Sequence, residues 1–104
     1  MKTLKTKFRL NGLPYTLLKR NDHVALYGIG GEHTDKILHY EVDIIYTRKD
    51  KYGTREHIAN NDTFGRDRSR CYIDTAKAYR YFDKISAILM TERNLSQGDS
   101  KMQK

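Results

Sequence analysis

The chain has 104 residues, 38% of them hydrophobic, and its 20 Lys and Arg against 13 Asp and Glu give a formal net charge of +7. That length holds one domain around one modest core and leaves little room for a deep catalytic cleft. The single cysteine, Cys71, excludes an internal disulfide and fits a reducing compartment. No stretch approaches the roughly 20 apolar residues of a membrane-spanning helix.

The first stretch, Met1 to Lys7, is basic and lacks the apolar run of a signal peptide, so the expectation is a soluble, cytoplasmic protein. Charge is unevenly spread. Lys2, Lys5, Lys7, Arg9, Lys19 and Arg20 face no acid in the first twenty residues, whereas residues 21–47 carry Lys36 against Asp22, Glu32, Asp35, Glu41 and Asp43. Basic residues dominate again from Arg48 onward. An acidic middle between basic flanks suggests a polyanionic partner, although charge of this kind also serves solubility alone.

From Leu4 to Leu10, the residues Leu4, Thr6, Phe8 and Leu10 alternate with Lys5, Lys7 and Arg9, which predicts an amphipathic strand with a basic outer face. Asn11-Gly12 is a hairpin-turn signal, and Pro14 extends the break. Tyr15 to Lys19 reads as a second strand, Arg20 to His23 as a turn, and Val24 to Ile29 as a third strand ended by Gly30-Gly31. The run Tyr27-Gly28-Ile29-Gly30-Gly31 resembles a phosphate loop only in composition. A phosphate loop leads from a strand into a helix, whereas this one leads from strand to strand, so its glycines read as a turn needing positive φ.

Lys36 to Arg48 alternates most clearly. Leu38, Tyr40, Val42, Ile44 and Tyr46 form one side, and Ile37, His39, Glu41, Asp43, Ile45 and Thr47 the other. This predicts the central strand of the sheet, with one face on the core and one towards water. The segment Lys49 to Glu56 is charged, with a turn at Gly53. Asn60-Asn61-Asp62 has loop composition, with Phe64 as an anchor to the core. Arg70 to Ile73 reads as a short strand or edge. Asp74 is an N-cap, and Ala78, Phe82, Ile85 and Leu89 form the apolar stripe of a helix from Thr75 to about Thr91, widened by Tyr79 and Ile88. The expected fold is α+β: a small antiparallel meander of about four strands with one C-terminal helix on one face. It forms a single domain over residues 1–92, followed by a flexible polar tail over 93–104.

The residues Tyr15-x-Leu17-x-x-Arg20, Val24-Ala25-x-Tyr27, Tyr40-Glu41-Val42-x-x-Ile45, Asn60-Asn61-Asp62-x-Phe64-Gly65 and Ala78-x-x-x-Phe82 together carry a resemblance. Over about residues 15–85 the chain resembles a group of small uncharacterised proteins of phages and mobile elements, which have a Tyr-Glu-Val strand, a Phe-Gly loop and a helix soon after. It departs from them at Ala59 or Asn60, where those proteins have a proline. The resemblance implies a fold and a phage-like origin, and no activity. By analogy, small phage proteins of this size often bind and block host defence machinery.

Three constellations carry possible chemistry. His39, Glu41 and Asp43 share one strand face and could hold a divalent metal as in nucleases. No Lys follows in the arrangement such sites use, so the expectation is a solvated polar face, with no metal and no cofactor. Cys71 has no histidine near it in sequence and reads as a small buried hydrophobe.

The third constellation is basic. Arg66, Arg68 and Arg70 project together if their segment is extended, and Lys77, Arg80 and Lys84 share a helix face flanked by Tyr81. Arg48, Lys49, Lys51 and Tyr52 form a basic loop. Cations neutralise phosphates and tyrosines stack on unpaired bases; the bland alternative is a solvated face diluted by Asp67, Asp74 and Asp83. The expected function is therefore non-enzymatic: a small basic protein of phage or mobile-element origin that engages a nucleic acid or a nucleic-acid-handling partner through these residues. The alternative is a phage inhibitor that binds a nucleic-acid-processing protein such as a CRISPR effector. A metal-dependent nuclease ranks third.

Overall fold

The computed structural model describes residues 2–58 and 68–102. The expected Asn60–Asp62 loop, the Phe64 anchor, Gly65 and Arg66 lie outside the described residues.

The fold is α+β, as expected. Its main sheet is antiparallel, in the order β1 (Lys7–Leu10), β2 (Leu13–Arg20), β3 (Val24–Gly31), β4 (Thr34–Ile44), β7 (Arg70–Tyr72). A second sheet is the hairpin of β5 (Tyr46–Asp50) and β6 (Gly53–His57). The helix α1 runs Thr75–Met102, past the expected end near Thr91 and into the segment read as a tail. The first two strands are joined by Asn11-Gly12, both at positive φ (53° and 79°), and Leu10 pairs directly with Leu13. That is the primed two-residue turn whose twist matches its strands.

The central strand is β3, not β4. All of β3 from Val24 to Gly30 is buried, because α1 packs over one face and a second apolar cluster over the other. A strand covered on both faces reads as a continuous apolar run rather than an alternation, and Val24 to Ile29 is such a run. Its glycines are not at positive φ. Instead they permit close approach: a Cβ on Gly30 would lie 2.6 Å from the Thr34 carbonyl oxygen, and one on Gly28 2.7 Å from Ile37 Cδ1.

On the helix side, Val24, Leu26, Val42 and Ile44 meet Ala78, Phe82 and Ile85, with Tyr40 half-buried at the margin. These are the expected strand parity and helix stripe. Asp74 caps the helix, its Oδ1 accepting the Lys77 N–H at 3.1 Å. Leu38 departs from its parity and is 48% exposed. The helix begins level with Tyr40, where the Thr75 hydroxyl donates to the Tyr40 hydroxyl at 2.8 Å, so the residues before Tyr40 extend beyond its cover.

The other face is not solvated. Asp43 is 0% exposed, Ile45 is buried and His39 and Glu41 are half-buried. Tyr15, Ala25, Tyr27, Ile29 and Ile45 form a second cluster, packed by Leu4, Phe8, Leu13, Leu17 and Ile58. The N-terminal segment supplies part of the cover. Lys2 donates its N–H to the Thr54 carbonyl and accepts from Glu56 N–H, and the Lys5 carbonyl accepts the Tyr27 hydroxyl at 3.1 Å.

Candidate nucleic-acid interface

A helix turns once every 3.6 residues, so Lys77, Arg80 and Lys84 project from the side of α1 away from Ala78, Phe82 and Ile85. All three are exposed, and the three apolar residues are buried. The strand β7 lies against the same helix and brings Tyr72 beside Tyr81, with ring centroids 5.7 Å apart at 48°. Lys77, Arg80, Lys84, Tyr72 and Tyr81 together line a shallow depression of about 270 Å³. Both tyrosines are half-buried and pack against the helix-side core. The Tyr81 hydroxyl donates to the Arg68 carbonyl, which sets the direction of its ring.

Charge compensation separates these cations from Lys19, Arg20, Arg55 and Arg68, but not from Arg48, Lys49 and Lys51, which also enter no ion pair among the described residues. Among the described residues, Lys19 pairs with Asp83 at 3.5 Å, Arg20 with Glu56 at 2.6 Å, Arg55 with Asp50 at 3.7 Å and Arg68 with Glu92 at 3.1 Å. Lys77, Arg80 and Lys84 enter no ion pair there, so their charge is presented to solvent.

The remaining expected residues are dispersed. Arg68 and Arg70 do not project as an alternating pair. Arg68 is left-handed at φ 78°, which breaks the extended run, and its guanidinium is neutralised by Glu92. Arg70 is in the strand, exposed, with its guanidinium donating to the Ser69 carbonyl at 2.8 Å. Neither lines the depression.

Arg48, Lys49, Lys51 and Tyr52 belong to the β5–β6 hairpin, not to a loop, and do not line the depression either. Tyr52 is 85% exposed at the tip, with the Lys51 ammonium 5.1 Å from its ring centroid. Tyr46 stacks on His57 instead, at 5.5 Å. Tyr72 was not among the expected residues. Its only sequence signal is an aromatic in the short apolar run before the helix cap.

The His39, Glu41 and Asp43 face is the one that carries the second cluster, with Asp43 buried and His39 and Glu41 half-buried. Among the described residues, no group of three or more His, Cys, Asp and Glu is placed to hold a metal ion. Glu41 accepts the Tyr15 hydroxyl at 3.3 Å. Burial, then the Glu41 charge, raises the Tyr15 hydroxyl above the ordinary phenol range, and burial with the Asp43 charge pushes Tyr27 up to about 12. Cys71 is exposed, contrary to expectation, because β7 is a three-residue edge strand with β4 as its neighbour. Desolvation, then the charges of Glu41 and Asp43, raise its thiol, which disfavours the nucleophilic thiolate. Among the described residues, no helix is long and apolar enough to cross a membrane.

No family model matches the chain, and no solved structure matches it. It is similar to an aminomethyltransferase of Deinococcus deserti, at 29% identity over 97 residues, covering 86% of this chain and 27% of that protein. The chain thus spans a small part of the length of the curated relative it matches, and the activity in that name is that protein's.

Proposed function

We propose that this chain is a small non-catalytic binding module that engages nucleic acid through the basic face of α1. One observation carries the reading: Lys77, Arg80 and Lys84 share a depression with two tyrosine rings and enter no ion pair among the described residues. Uncompensated cations neutralise phosphates and release counterions, and ring faces give sequence-tolerant contacts to bases. This reading goes with a cytoplasmic protein, and with the phage-like origin that the sequence motifs imply.

The test is charge reversal. Changing Lys77, Arg80 and Lys84 all to Glu takes the net charge from +7 to +1. Each site is exposed, so the stability change stays within about 0.5 kcal/mol per substitution. Binding to labelled oligonucleotides, followed by fluorescence anisotropy at low salt, is expected to be nearly abolished. A folded triple variant that binds as tightly as wild type would sink the proposal. So would a wild type without nucleic-acid affinity that captures a nucleic-acid-processing protein, such as a CRISPR effector, through the same three residues. That result would replace the reading with a protein-binding inhibitor.

A further inference from the structure

Resting on that reading, we infer that the nucleic acid is single-stranded, with about three consecutive phosphates along Lys77, Arg80 and Lys84 and an unpaired base on Tyr72 and Tyr81. The spacing argues for the phosphates. Lys77 and Lys84 are seven residues apart, which is ~10.5 Å along a helix at 1.5 Å per residue. Consecutive phosphates of one flexible strand lie roughly 6 Å apart through space, so about two steps fit that length and the row of three cations matches about three phosphates.

The rings argue for the base. Tyr72 and Tyr81 are each half-buried against the helix-side core, and Tyr81 is also held through its hydroxyl. Rings already held in place lose little freedom on binding, which favours stacking. In a duplex the base faces are covered by their neighbours, and these two tyrosines would meet only backbone. The hollow is also shallow, and Tyr72 of β7 closes one side of it, so this face of α1 is flanked by a strand rather than free to enter a groove. A flexible strand lying along α1 can place phosphates on the cations and turn one base onto the rings.

The experiment compares a ten-nucleotide oligothymidylate with a duplex of the same length, by anisotropy between 50 and 200 mM salt. The single strand is expected to bind more tightly, with a slope of log affinity on log salt near −2, from about −0.7 per phosphate. Tyr72→Leu keeps apolar bulk and removes the ring face. It is expected to weaken single-strand binding about five- to a hundredfold and leave the salt slope unchanged. Wild type alone gives a second readout, because the chain has eight Tyr and no Trp. Tyrosine fluorescence is expected to be quenched by the single strand and not by the duplex, whether or not Tyr72→Leu folds. Equal affinity for duplex and single strand, without quenching, would overturn the single-strand inference and leave the basic-face reading standing. The loss of all nucleic-acid affinity would overturn both.

Discussion

The two faces of the main sheet are built from different chemistry. The helix face is closed by fully buried aliphatic residues and Phe82, with tyrosines at its margin. The opposite face has Tyr15 and Tyr27 at its centre, with Phe8 stacked on Tyr15 at 4.8 Å and edge-on to Tyr27 at 5.3 Å. Polar groups are built into that second core: the Tyr27 hydroxyl on a backbone carbonyl, the Tyr15 hydroxyl on Glu41, and Asp43 fully buried. At its edge the Arg20 guanidinium grips Glu56 through two hydrogen bonds, 2.6 and 2.8 Å. Glu56 also accepts the Leu4 N–H at 3.2 Å, which ties the N-terminal segment to the hairpin. One face therefore depends on shape, and the other on shape together with protonation.

The largest expected effect tests the helix face. Phe82→Ala leaves a cavity under α1 and is expected to cost about 3–5 kcal/mol, independent of pH between 5 and 8. Urea midpoints measure it, and a midpoint within error of wild type would mean that α1 does not hold that face through Phe82.

A smaller effect tests the edge of the second face. Hydrogen bonding to Arg20 holds the Glu56 carboxyl below the ordinary carboxylate range. Its charged form therefore stabilises the fold at pH values above ~4.3, and that contribution is lost as pH falls through the lower folded value. Glu56→Gln is expected to cost about 1–2 kcal/mol at pH 7. The gap to wild type should close as pH falls below ~4, measured as thermal midpoints across an acid series. A gap that persists at pH 2 would place the effect in packing rather than charge.

The smallest effect lies at the centre of that face. Tyr27→Phe removes the hydroxyl on the Lys5 carbonyl and is expected to cost about 0.5–1.5 kcal/mol at neutral pH. The Tyr27 phenol is raised in the fold, so its protonated form contributes stability that is complete below the ordinary value near 10 and lost as pH rises to about 12. Alkaline unfolding of the variant should therefore begin later than that of wild type, with Tyr15 supplying the remainder. Identical alkaline midpoints would remove Tyr27 from the account.

Alternation along Lys36 to Arg48 identified β4 as far as Ile44 and the parity that meets the helix, because side-chain direction in a strand is a local property; it ran past the strand's end, since Tyr46 to Arg48 belong to β5 of the second sheet. It misjudged the other parity, because polar letters say that a face can be wet and not that it is. Tyr15, Tyr27 and Glu41 become buried partners only once β2, β3 and β4 are aligned. The hairpin at Gly53 was visible as a turn, but its strands were not: β5 begins at Tyr46, inside the stretch read as the central strand, and Lys49 to Glu56 is a two-sided polar ribbon with no apolar period. The basic triad was legible from its spacing alone. Tyr72 was not, since its place beside Tyr81 depends on β7 pairing with β4, with Tyr72 opposite Tyr40.

What the sequence determined by itself was local: the Asn11-Gly12 turn, the Asp74 cap, the apolar stripe of α1 and the cations on its far side. Each follows from backbone sterics or a repeat of a few residues, and needs no distant partner. The tertiary structure decided which strand is central, which polar face is covered, which arginines are neutralised and which rings border the cations. Those outcomes depend on contacts between residues far apart in the chain, such as Arg20 with Glu56 and Arg68 with Glu92. Only the completed strand order and the seat of the helix bring such residues within reach of one another.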